Sequence, residues 1–184
     1  MLTALPELAI ERERALPRYS QRPLPPYRFV PGLFPHPVRD PQGHSYLSAH
    51  HLHRQERWEA EHWRSLEDWL YGVDLFNRYY FWESHHAWEG LWSVAERDGA
   101  PRLLLQGLIQ VAAACLKAHM GVLTGTRMLS AEGLAKLRRV EARQSCLLGL
   151  DLSVIVAEFE GYFVRVISDP VPRLSPDVPI LLLD

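Results

Sequence analysis

Cysteine is scarce: Cys115 and Cys146 are the two in 184 residues, too few for the disulfide framework by which small secreted domains supplement a core. Neither stands beside a residue that would activate a thiolate, and Cys115 falls in the most apolar stretch, where a reduced thiol behaves as a small hydrophobe. Net charge is nearly absent as well, with 20 Lys and Arg against 22 Asp and Glu, a formal −2. With no long basic run there is no general pull toward a phosphate backbone or an anionic membrane, which argues against nucleic acid as a partner. Long apolar runs are missing too. The longest, 103–116, is interrupted by Gln106 and Gln110 and falls short of the roughly 20 residues that span a bilayer. It predicts a buried core helix, the most buried of the fold, and no membrane partner. The first residues lack the basic and continuous apolar parts of a secretory signal, so the expected location is cytoplasmic.

What the chain does have is proline, unevenly placed: nine of the fourteen lie between Pro6 and Pro41, one is Pro101, and four lie between Pro170 and Pro179. Proline fixes φ and removes a donor, so both ends are expected to be largely non-helical. The first segment also carries Tyr27, Phe29, Val30, Leu33, Phe34 and Tyr46, more aromatic and branched residues than a solvated tail needs. The expectation is an ordered proline-rich arm over 1–45, a helical core over 46–168 and an extended tail over 169–184.

Within the core, apolar residues recur at three- and four-residue spacing over 56–77, through Trp58, Trp63, Leu66, Trp69, Leu70, Val73 and Phe76, which predicts one or two amphipathic helices. A second helix is expected from about 79 to 96. Gly99 and Pro101 then suit a helix exit and a new first turn, and a third helix runs to about 119 with Gly121 as its C-terminal cap. A fourth covers 126–143, and a last one, capped by Asp151 or Ser153, reaches about 167. Strand alternation is limited to the short apolar run 178–183. The fold class is all-α, a compact multihelical bundle of about five helices.

The densest chemistry lies in 77–92, Asn-Arg-Tyr-Tyr-Phe-Trp-Glu-Ser-His-His-Ala-Trp-Glu-Gly-Leu-Trp. On a helix His85 and Glu89 stand about 40° apart, with His86 and Glu83 farther along the same arc. A half-buried imidazole and carboxylate at i, i+4 suit a divalent metal ion, a general-base dyad, or a structural hydrogen bond. Two Glu-x-x-His spacings, Glu59 to His62 and Glu83 to His86, match half of a bundle di-iron pattern, but the third helix offers no glutamate to complete it. That helix instead carries Arg102, Gln106, Gln110 and Lys117 within about 80° of one another, a narrow polar stripe on an apolar helix. The site expected from these residues is a polar pocket of Glu83, His85, Glu89, Gln106 and Gln110, with His85 and Glu89 as metal ligands. The bland alternative makes each a structural group or solvent edge. His50-His51-Leu52-His53 resembles a metal tract without a zinc spacing, and the stiff 35–44 loop can hold His36, Arg39, Asp40 and His44 over a pocket or simply tie the arm down.

Phe76, Asn77, Trp82, Glu83, His85, Glu89 and Trp92, followed by Leu-Gln-Gly-Leu-Ile-Gln at 105–110, resemble the hallmark of the bacterial and archaeal family known as domain of unknown function 309. The resemblance covers about 66–140. It departs at His86, where the family usually has glutamate. It implies a compact multihelical fold and carries no reaction over. Two functional readings stand: a polar pocket for a metal ion or small polar ligand, and a non-catalytic helical interaction or homo-oligomerisation module. The sequence names no cofactor and no enzyme class.

Overall fold

The computed structural model describes residues 15–47, 57–171 and 173–184; the 50–53 histidine tract and the start of the arm lie outside them. A 3-10 helix, Ala60–Ser65, leads into α1 (Glu67–Asn77), α2 (Phe81–Val94), α3 (Ala100–His119) and α4 (Leu123–Glu141). A two-residue hairpin of β1 (Cys146–Leu147) and β2 (Leu150–Asp151) then precedes α5 (Leu152–Ser168). The class is all-α, as the periodicity indicates. The hairpin was not anticipated, and 178–183, the stretch with strand alternation, forms no strand. Leu148 and Gly149, at φ 52° and 78°, give the two positive-φ residues that a tight hairpin turn requires. Leu148 stays there because its carbonyl accepts from Trp69 Nε1 at 3.1 Å and its side chain is buried.

Helix boundaries follow local chemistry. The end of α1 is set by Tyr79 at φ 67°, an uncommon conformation for a bulky residue. Tyr80 N–H then reaches back to Leu75 O at 2.9 Å and Tyr79 N–H to Phe76 O at 3.0 Å, so the last carbonyls of the helix are satisfied. Gly121, at φ 72°, ends the α3 region as expected, with Val122 N–H on Lys117 O. Asp151 is the cap of α5: its Oδ1 accepts from Ser153 N–H at 3.0 Å and Val154 N–H at 3.2 Å.

Packing centres on α3, which lies against α2 on one side and α4 on the other. Glycines make the close crossing between α3 and α4. A Cβ on Gly133 would stand 2.9 Å from Gly107 O, and one on Gly107 would stand 2.8 Å from Leu137 Cδ2. Leu104, Leu105, Leu108, Val111, Ala112 and Cys115 are sealed there, and burial pushes the Cys115 thiol far up, leaving it inert as a nucleophile. The segment 103–116 has no exposed residue, yet α1 is more completely buried, eight of its eleven residues being inside. The reason is that arm and tail both lie on α1, a covering that its own periodicity does not encode.

Two polar side chains of α1 fasten those coverings. Asp74, fully buried, accepts Tyr19 N–H on Oδ1 at 3.0 Å and Ser20 N–H on Oδ2 at 2.8 Å, and pairs with Arg18 Nε at 3.1 Å and Arg78 Nη1 at 3.4 Å. Arg78, also buried, donates from Nη2 to the carbonyls of Leu16 and Pro17. On the tail side Asn77 behaves as a peptide unit, its Nδ2 donating to Leu181 O and its Oδ1 accepting Leu181 N–H, both at 2.8 Å. Asn77 of the sequence hallmark is therefore a clamp on the tail backbone.

Candidate functional site

Where the arm crosses the first turns of α2, Glu83 turns away from the helix surface and into the arm. Its Oε1 accepts Phe29 N–H at 2.8 Å and lies 3.1 Å from His44 Nε2, with both side chains at most 5% exposed. His44 is itself oriented, Nδ1 being 2.8 Å from Ser45 Oγ and its backbone N–H donating to Tyr27 Oη. The second carboxylate oxygen, Oε2, is buried and has no hydrogen-bond partner among the described residues. An acceptor in that position costs free energy unless something donates to it.

Trp82, a residue of the sequence hallmark, sits half-buried at the centre of an imidazole cluster. His86 stacks on it at 5.2 Å between centroids, His85 meets it edge-on at 5.5 Å, and His36 and Phe29 of the arm approach at 5.3 and 5.5 Å. The 35–44 loop ties down the arm through His44 and sets His36 against Trp82 of α2. One turn on, His85 Nε2 and His86 Nδ1 face the same oxygen, Glu89 Oε2, at 3.9 and 3.7 Å.

Burial holds His85 below its ordinary pKa of 6.5, with Glu89 opposing and His86 assisting, so the ring is neutral at pH 7. His36 is lowered in the same way, by burial first and then by Arg39. Glu89 is held below the usual carboxylate value chiefly by His86, a long contact for a hydrogen bond, with partial burial opposing. A folded imidazole that resists its proton makes the folded state bind fewer protons than the unfolded one. The stability it contributes is therefore complete above about pH 6.5 and declines as pH falls through the lowered value. Urea midpoints should drop between pH 7 and pH 5, and His85→Gln should flatten that drop, leaving the His36 contribution; an unchanged slope would contradict the burial of His85.

Of the glutamines expected in the pocket, Gln110 has a partner on another helix. Gln110 Nε2 donates to Glu132 Oε2 at 2.5 Å on the α4 side, and no hydrogen bond joins Gln106 or Gln110 to His85 or Glu89. Arg102 of the same stripe caps the end of α2, donating to Trp92 O at 2.6 Å and Ala95 O at 3.2 Å. The Glu59 and His62 pair is solvent-exposed at 3.7 Å. Among the described residues no group of three or more His, Cys, Asp or Glu side chains is placed to hold a metal ion. Sequence reasoning missed Asp74 and Arg78, although a charged i, i+4 pair that begins on the apolar stripe of a helix was a usable signal.

The model of a protein family described as Domain of unknown function (DUF309) matches residues 69–129, which run from α1 through α2 and α3 into the start of α4. Neither the curated proteins nor the solved structures yield a match. No helix among the described residues is long and apolar enough to cross a membrane.

Proposed function

We propose, on the premise that residues 69–129 belong to the domain of unknown function 309 family, that the chain binds a small cationic ligand under its N-terminal arm. The site is the Glu83 and His44 pair; His85 and Glu89, a separate pair on the same helix, are its candidate second half. The ligand is a divalent metal ion or a small polar molecule that donates hydrogen bonds. The observation that carries this reading is Glu83 Oε2, buried and without a partner among the described residues. Leaving a buried acceptor unmade costs about 1–3 kcal/mol, and more when the group is charged; a cation or donor from outside the chain removes that cost. Imidazole and carboxylate together suit divalent transition metals. Burial supports the role of His85, because only the neutral ring has a lone pair to offer. Gln106 and Gln110 are left out of the site, the latter being engaged with Glu132.

A melting series against zinc, manganese and small organic amines tests the reading. One of these should stabilise the wild type, by about 2.7 kcal/mol at a hundredfold excess over its Kd, and should leave Glu83→Gln unmoved. If none stabilises the wild type, the site is structural. The second reading, a homo-oligomerisation module, draws on Leu33 and Phe34, each 43% exposed beside the same junction. It expects a dimer in light scattering that Phe34→Ser dissociates.

A further inference from the structure

The opposite end of α2 opens onto a cavity of about 940 Å³ at the turn into α3. Its lining includes Arg57, Arg97 and Arg102, the carboxylates Glu59 and Glu96, and the indole of Trp58. Such a volume is that of a small-molecule site. The three guanidiniums are not neutralised by the two carboxylates. The ion pair that Glu59 makes is with His62, at 3.7 Å, and no ion pair joins Glu96 to any of the arginines. Arg102 is held in place from above and below, its Nη1 on the carbonyls of Trp92 and Ala95 and its guanidinium 4.1 Å from the Trp92 ring. That leaves its remaining N–H groups oriented and undirected, while Arg57 and Arg97 have no side-chain partner among the described residues.

Two further features favour an anion. The 20-residue α3 begins at this turn with no side-chain cap at Gly99 and no acidic residue in its first turn, so no side chain of that turn offsets its positive end. Arg102, by capping the last carbonyls of α2, offsets the negative end of that helix where the two ends meet. Trp58 adds a flat wall whose position is fixed by its Nε1–H on Leu91 O at 3.1 Å.

We infer that this cavity binds a small organic phosphate, its anionic group taken by Arg57, Arg97 and Arg102 and its flat apolar portion laid on Trp58. Guanidinium forks match phosphate oxygens in geometry and stay charged at any working pH. The site is separate from the arm-covered cluster and stands whether or not that cluster binds a ligand.

Calorimetric titration of the full chain with phenyl phosphate tests it, beside the double variant Arg57→Gln, Arg97→Gln. Both arginines are exposed, so the variant should melt with the wild type. A single saturable site is expected in the wild type, weakened at least about tenfold in the double variant and weakened further by salt. Absence of saturable binding at millimolar phenyl phosphate, or equal binding in the double variant, would overturn the inference.

Discussion

Asp74→Ala should destabilise the protein by about 3–5 kcal/mol, the range for removing one partner of a buried ion pair. The loss has two parts. Arg78, 3% exposed, keeps its charge inside without the carboxylate that faces it, and the backbone N–H groups of Tyr19 and Ser20 lose their acceptor. The arm should then detach, so that proteolysis within 17–30 becomes faster while the helical content stays. Urea unfolding of Asp74→Ala and of the double variant Asp74→Ala, Arg78→Met separates the parts. The double variant should be less damaged than the sum of its singles, because the unpaired charge is gone. A loss below about 1 kcal/mol in the single variant would show that the clamp contributes no more than a surface ion pair.

Leu108→Asp should abolish cooperative unfolding altogether. Leu108 is fully buried on α3, beside the Gly107 and Gly133 crossing where the backbones leave no room for water. An unpaired carboxylate there costs several kcal/mol at least, of the order of the whole stability of a domain of this size, about 5–15 kcal/mol. Circular dichroism on heating should show a broad, non-sigmoidal loss of signal. A sharp transition near the wild-type midpoint would contradict the place of α3 at the centre of the packing.

The parts of this fold that were legible in the sequence are those governed by local rules. Gly121 at a left-handed position, Asp151 as a cap and Pro101 in a first turn each follow from the conformational limits of one residue. The apolar stripes of α3 and α5 follow from helical periodicity alone. Long-range coverings were not legible. Nothing in the pattern of α1 says that its polar groups Asp74 and Asn77 face the backbone of an arm 54 residues earlier and a tail 104 residues later. For the same reason Glu83, which a helical projection places on one arc with His85 and Glu89, turns out to face the arm, while Gln110 of α3 reaches Glu132. A projection gives the direction of a side chain from its own axis and not what has been laid over it. The role of His44 is the instructive middle case: the rigid loop was readable as a positioning device, and the residue it meets was not.

The binding of a ligand at Glu83 is tested most directly by the mass and metal content of the untagged protein, taken by native mass spectrometry and elemental analysis beside Glu83→Gln. The wild type should carry a metal ion or small molecule, lost on denaturation, and Glu83→Gln should lack it while remaining folded. Equal content in the two proteins, or none in either after incubation with divalent ions and amines, would contradict the claim and leave Glu83 as a fastening for the arm.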